Sequence, residues 1–167
     1  MPIVPLFLLL LLSPTSVTAQ NVSRVRALDT ELHDAIEEGR AHSAVFRELI
    51  AQIDASNVIV FVKVDSFMPA GIQGRLTFMS TAAGQRYVMV RIARGLLGAQ
   101  QVAMIGHELR HAVEIADAES VVDQATLAAE YRRIGFESRT GHRDGFDSLA
   151  AIDTGKRVWL ELSHHGE

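Results

Sequence analysis

The segment from residue 99 to residue 116 constrains the fold most, because its residues require a helix with two different faces. Apolar residues recur there at spacings of three and four, and at 100° per residue they fall within one arc. They are Val102, Ile105, Leu109, Ala112, Val113 and Ala116. The opposite arc carries His107, Glu108, His111 and Glu114. We therefore predict a helix that packs one face on the core and turns the other toward an open site.

Three residues of the polar face form the pattern His-Glu-x-x-His: His107, Glu108 and His111. Histidines four residues apart stand one turn apart on the same helix face, so both can bind one metal ion. In this pattern the metal is zinc, and the glutamate takes a proton from the zinc-bound water. The sequence thus predicts zinc ligands at His107 and His111 and a catalytic base at Glu108. The alternative is that both histidines are surface residues paired with neighbouring carboxylates.

The stretch Gly-His-Glu-Leu-Arg-His-Ala-Val, residues 106–113, resembles the active-site helix of the thermolysin-type zinc metallopeptidases and their zincin relatives. The close resemblance covers these eight residues, and a broader one extends over residues 58–134. It implies hydrolysis of peptide bonds, a Zn²⁺ cofactor and a peptide or protein substrate. It also implies a sheet before the motif helix, whose edge strand binds the substrate backbone.

A catalytic zinc site needs a third protein ligand and an open coordination position. The chain has no cysteine, so this ligand must be His, Asp or Glu. In the gluzincin branch a glutamate of the next helix supplies it, and Glu130, with eighteen residues between it and His111, has that spacing. Asp117 stands where the metzincin branch places its third ligand, but without a helix-breaking glycine it lies about 12 Å along the axis. The resemblance therefore favours Glu130.

Other acids and polar groups stay open at this point. Glu114 shares the histidine face but must reach about 7 Å along the axis, so it is better placed to orient His111 than to bind the metal. Glu119, in the turn after the helix, and the tail histidines His164 and His165 are further candidate ligands. Tyr131 or His142 could stabilise an oxyanion, and nothing in the sequence selects between them.

Amphipathic and alternating patterns precede the motif helix. Val25, Leu28, Leu32 and Ile36 recur at helical spacing and predict a helix that ends near Gly39. Ser43 is the expected N-cap of a second helix, whose buried stripe is Phe46, Leu49, Ile50 and Ile53. Residues 58–64 are dense in β-branched side chains and predict a strand, and residues 75–80 and 87–92 predict a β-hairpin. These segments indicate a short, mostly antiparallel sheet.

Two more helices follow the motif. The first begins at Ser120, with Asp123 completing a capping box, and ends at Gly135. Residues 136–145 are polar and irregular, and the last helix runs from about Asp147 to Leu162. The predicted fold class is therefore α+β: a small zincin-like domain with N-terminal helices, a short sheet, the motif helix and C-terminal helices.

The first nineteen residues have the pattern of a signal peptide. The apolar run from Ile3 to Leu12 is too short to span a bilayer, which takes about 20 residues. The small residues Val17-Thr18-Ala19 follow it and indicate cleavage after Ala19. We expect residues 20–167 to form one secreted or periplasmic domain with no stable membrane insertion. The alternatives for the apolar run are a buried strand or an uncleaved anchor.

The net charge excludes one class of function, and two alternatives to a peptidase stay open. The formal net charge of −4 offers no basic surplus for binding nucleic acid. A catalytically inactive zincin-like protein that binds a metal or a partner is the first alternative to a peptidase. A structural α+β interaction domain with incidental histidines is the second.

Overall fold

The computed structural model describes residues 22–137 and 146–164, and it has an α+β architecture, which confirms that part of the predicted fold class. The elements, in chain order, are β1 Val25–Ala27, α1 Thr30–His42, α2 Ala44–Asp54, β2 Val58–Asp65, β3 Gly74–Ala82, β4 Gln85–Ala93, α3 Gly98–Asp117, α4 Gln124–Ile134, β5 Phe136–Glu137, β6 Phe146–Asp147 and α5 Leu149–Ser163. The predicted signal peptide, His142 and His165 lie outside the described residues. Within the described ranges, no helix combines the length and apolar character needed to cross a membrane.

The main sheet is mixed, with strand order β1-β2-β4-β3. Strand β2 pairs in parallel with both β1 and β4, and only β3 and β4 are antiparallel. The prediction of a mostly antiparallel sheet was wrong because β4, and not β3, lies beside β2. Strand β4 buries every second residue completely, whereas the side chains of β3 are half-buried or exposed, so β3 takes the edge position.

The predicted hairpin of β3 and β4 is confirmed. Its two-residue turn is Ala83-Gly84, with φ angles of 50° and 73°. Two consecutive left-handed residues are typical of the turn whose twist matches that of a hairpin. The hairpin places the start of β3 against the polar face of α3.

The first helix begins later than its apolar spacing predicts. Val25 belongs to β1, and α1 starts at Thr30 and continues to His42. Val25 is buried because β1 pairs with β2, while Leu28 is largely exposed, so neither residue belongs to a helical stripe. The predicted start of α2 is confirmed, since the Ser43 side chain accepts a hydrogen bond from Phe46 N.

The motif helix α3 packs as predicted. Its apolar stripe belongs to the core, with Ile105, Leu109 and Ala112 fully buried. Helix α5 crosses it closely at two glycines: Gly106 faces Val158, and Gly155 faces His107. A side chain at Gly155 would press on the imidazole-bearing Cβ of His107, so the close crossing holds that histidine in place.

The two C-terminal helices start at other residues than predicted. Helix α4 begins at Gln124, and its capping box is formed by Asp123 and Thr126 rather than by Ser120 and Asp123. Helix α5 begins at Leu149, with the Ser148 side chain as its cap. Asp147 was predicted in this last helix, which was wrong: it lies in β6, one residue before the cap.

Candidate metal centre

Three possible metal ligands converge at the polar face of α3: His107, His111 and Asp147. Asp147 Oδ1 lies 3.4 Å from His107 Nε2 and 3.5 Å from His111 Nε2, and the ligand atoms all lie within 4.8 Å of one another. Bonds of 2.0–2.1 Å in a tetrahedral zinc site separate ligand atoms by about 3.3–3.4 Å. The two separations from Asp147 are close to that value, and the separation between the two histidine nitrogens is at most 4.8 Å.

Asp147 reaches the histidines through the small β5–β6 pairing that follows α4. Gly135 permits this approach, because a Cβ at that position would collide with the backbone carbonyl oxygen of Asp147. Asp147 Oδ1 also accepts a hydrogen bond of 2.7 Å from Ser148 N at the start of α5. The carboxylate is thus placed by the end of one helix and the beginning of the next.

A buried pair of side chains orients His111. The Nδ1 atom of His111 lies 2.8 Å from Glu114 Oε2, and Ser148 Oγ donates a hydrogen bond of 2.6 Å to Glu114 Oε1. With the proton on Nδ1, the Nε2 atom is left facing Asp147 as a possible ligand atom. A carboxylate in this position fixes the orientation and tautomer of a metal-binding histidine. The sequence predicts Glu114 as an orienting partner of His111, and the Glu114 carboxylate lies against His111 Nδ1.

The predicted base, Glu108, lies on the same helix face, and its side chain is 4% exposed. Strand β3 approaches it at Gly74, where any side chain would collide with the Glu108 carboxylate and the Met104 sulfur. Burial raises the pKa of Glu108, against the opposing effect of His111 and His107. The carboxylate is confined between α3 and the first residue of β3.

The pKa values of His111 and Asp147 are shifted in opposite directions by their mutual contact. Burial lowers the pKa of His111, but hydrogen bonds with Asp147 and Glu114 outweigh it and raise that pKa to about 9. Burial raises the pKa of Asp147, and its hydrogen bonds with His107 and His111 outweigh this and lower the pKa below its usual range. These opposite shifts favour a charged contact between the His111 imidazole and the Asp147 carboxylate.

The favoured third ligand of the sequence prediction is not brought to the histidines. Glu130 accepts a hydrogen bond of 3.0 Å from Arg133 Nε and lines a separate cavity of about 630 Å³. Asp117 and Glu119 line that second cavity too, and His164 follows the end of α5 as an exposed residue. Among the described residues, Asp147 takes the position expected for Glu130.

Sequence reasoning missed Asp147 because it lies thirty-six residues beyond His111 and was assigned to the last helix. The useful signal was Ser148. A serine N-cap there excludes Asp147 from the helix and leaves its carboxylate free to point elsewhere. The residue that then completes the site is set by where α5 begins.

Of the two residues that the sequence offers for an oxyanion, Tyr131 lines the same cavity as His107, His111 and Asp147, and His142 lies outside the described residues. Its ring meets that of His111 edge-on, with 5.1 Å between the centroids. The Tyr131 hydroxyl is buried and has no hydrogen-bond partner within the described residues. Burial also raises its pKa, so the hydroxyl keeps its proton and can donate it to a ligand.

The cavity has a volume of about 530 Å³ and lies between β3 and α4, with α3 as its floor. Gln73 O accepts a hydrogen bond from Ala93 N, so Gly74 and Leu76 point their backbone groups away from β4, toward the free edge. Phe78 N, next in this alternation, donates to the Gln124 side chain. The open part of the edge is therefore the part beside Glu108. No protein-family model, curated protein or solved structure matches this chain.

Proposed function

We propose that the chain is a zinc-dependent peptidase whose metal is held by His107, His111 and Asp147. The observation that carries this proposal is the separation of 3.4 and 3.5 Å between the Asp147 oxygen and the two histidine nitrogens. A carboxylate, Glu108, lies in the same cavity and is not needed as a ligand. Two imidazoles, one carboxylate and a second, free carboxylate are the groups that metal-assisted hydrolysis requires.

The residues of the proposed site have distinct roles in this reaction. Zinc held by His107, His111 and Asp147 would supply a Lewis acid for the substrate carbonyl and would lower the pKa of water. Glu108 would accept a proton from the water whose oxygen adds to the carbonyl carbon, and it would pass that proton to the amine that leaves as the peptide C–N bond breaks. Glu114 keeps His111 oriented through its 2.8 Å contact with Nδ1.

The substrate backbone has a place beside these groups. The outward backbone groups of Gly74 and Leu76 can pair with an extended peptide that adds a strand to the free edge of β3. A peptide bound there passes over Glu108, because Gly74 lies against that carboxylate. The unpartnered hydroxyl of Tyr131, on the opposite wall, can donate a hydrogen bond to the oxygen on which charge develops.

The metal site is tested by the zinc content of purified variants. We expect about one zinc per chain in the wild type, and loss of zinc in His111→Ala and Asp147→Ala. Glu130→Ala is the matched control and should keep its zinc, because Glu130 pairs with Arg133 instead. Loss of zinc in Glu130→Ala with retention in Asp147→Ala would show that the ligand set is wrong.

The reaction is tested with a library of internally quenched peptides and a chelator. Cleavage should require zinc, and Glu108→Gln should keep zinc bound while turnover falls to background, because the base is lost and the ligands are not. Full turnover in Glu108→Gln contradicts the proposed role. Bound zinc without cleavage of any peptide by the wild type supports the alternative, a zincin-like protein that binds a metal or partner.

A further inference from the structure

Two arginines line the cavity: Arg75 on β3 and Arg132 on α4. Within the described residues, neither forms an ion pair or a side-chain hydrogen bond, although Arg75 lies within electrostatic reach of Glu108. Their neighbours do: Arg91, opposite Arg75 in the hairpin, lies 3.9 Å from Asp65, and Arg133 binds Glu130. The two guanidinium groups that border the cavity are therefore the ones left available to a ligand.

Both groups lie near the residues proposed to act on the substrate. Arg75 follows Gly74 and is close enough to Glu108 to favour its charged form. The Arg132 guanidinium stacks over the ring of Phe146, 5.9 Å from its centroid, next to the ligand Asp147. Stacking holds a guanidinium by its face and leaves its N–H edge free to bind an anion.

The charges of the cavity favour an anionic group. Asp147 and Glu108 carry two negative charges when ionised, a divalent metal offsets them, and the two arginines then remain as a positive excess. This excess contrasts with the formal net charge of −4 for the whole chain. A neutral peptide leaves both guanidinium groups without a counter-charge, whereas a carboxylate can take two parallel N–H···O bonds from either one.

We propose that the cavity selects peptides with a carboxylate next to the bond that is cleaved. The carboxylate can be an aspartate or glutamate side chain, or the free carboxyl terminus of the peptide. The identity of the bond that breaks rests on the proposed peptidase function. Recognition of the carboxylate depends on Arg75 and Arg132, and it can be measured without turnover.

The test is peptide binding by calorimetry, with zinc-loaded and with zinc-depleted protein. Three matched peptides differ in one group: a central glutamate with an amidated terminus, a central glutamine with an amidated terminus, and a central glutamine with a free terminus. We expect an acidic peptide to bind about tenfold more tightly than the neutral one, and the preference to shrink as salt rises. The two acidic peptides show which carboxylate is recognised.

The variants distinguish recognition of the carboxylate by these two arginines from a general effect of the net charge. In Arg75→Gln/Arg132→Gln the preference should fall to about onefold, with either form of the protein. Arg91→Gln/Arg133→Gln removes the same net charge from neighbouring positions and should keep the preference for acidic peptides. Equal binding of all three peptides by the wild type, or a preference that survives in Arg75→Gln/Arg132→Gln, overturns the proposal.

The outcome also stays separate from the proposed reaction. Zinc-dependent cleavage without preference for acidic peptides overturns the carboxylate proposal and leaves the peptidase standing. Carboxylate-selective binding by a wild-type protein that cleaves no peptide supports recognition by the arginines and contradicts the peptidase.

Discussion

Arg86 joins the sheet to the end of the motif helix, and its removal is expected to destabilise the whole domain. The residue lies in β4, and its side chain is 3% exposed. Its guanidinium donates to backbone carbonyl oxygens at and beyond the last turn of α3, at 2.7–3.3 Å, and to Asn57 Oδ1 at 2.7 Å. The carbonyls belong to Ile115, Ala116, Ala118 and Val121. A single side chain thus binds four carbonyl oxygens around the helix end, of which Ile115 O and Ala118 O also accept backbone hydrogen bonds from Ala118 N and Val121 N.

The magnitude for Arg86→Met follows from these contacts. Methionine replaces the aliphatic stem, so the change removes mainly the charged hydrogen-bond donors. Each buried acceptor left without a donor costs about 1–3 kcal/mol, although some of the carbonyls will recruit water. Burial lowers the pKa of Arg86, against the effect of Glu119, which shows that desolvation of the cation opposes its gain. Together we expect the free energy of unfolding to fall by about 3–5 kcal/mol, which corresponds to two lost hydrogen bonds from a charged donor at about 1.5–3 kcal/mol each, less what water restores.

The assay is urea unfolding followed by circular dichroism and by the fluorescence of Trp159, the single tryptophan. Coincident transitions by the two probes justify a two-state treatment. In thermal unfolding, the same loss corresponds to about 6–20 °C. Arg157→Met, at an exposed position of α5, is the control and should change the stability by less than about 0.5 kcal/mol.

A smaller variant keeps this prediction testable if Arg86→Met does not fold. Arg86→Lys retains the charge but offers three donors on one nitrogen, so it should lose part of the same free energy. A change below about 1 kcal/mol in both Arg86 variants would refute the reasoning, since it would mean that the carbonyls at the end of α3 do not depend on this side chain.

The remaining predictions concern the site and one helix cap. Tyr131→Phe should lower kcat by about 10²-fold with zinc content unchanged, because it removes one hydrogen-bond donor to the developing oxyanion; an unchanged kcat contradicts this role. Gly135→Ala should weaken zinc binding by about tenfold in a competition titration, because the added methyl group displaces Asp147, and native affinity would speak against this placement. Hydrogen bonds from Thr126 lower the pKa of Asp123, so its contribution to stability is present above its usual pKa of about 3.8 and is lost as the pH falls through the lowered value. In urea unfolding, acidification should therefore destabilise the wild type more than Asp123→Asn. Equal acid sensitivity of the two proteins would contradict this contribution of the Asp123 carboxylate.

Local patterns were sufficient where one element decides the outcome. The two faces of α3, the Ser43 cap of α2 and the hairpin turn at Gly84 depend on residues a few positions apart, and all three agree with the structure. The same holds for the convergence of His107 and His111, since one helical turn brings them together. Helical spacing failed at Val25, because burial against β2 gives that residue the same apolar signal as burial under a helix.

The sequence by itself determined two histidines and a glutamate on one helix face, and a chain without cysteine whose metal ligands must be His, Asp or Glu. Only the tertiary structure decided the third candidate ligand. Glu130 has the expected spacing along the chain, but it points to another cavity, while Asp147 is brought back to α3 by the clearance at Gly135 and the start of α5. The position of Arg75 and Arg132 on the wall of the cavity, without an ion pair to any described residue, was equally invisible in the sequence. Spacing along a chain fixes neighbours within a helix, whereas contacts between elements depend on how those elements pack.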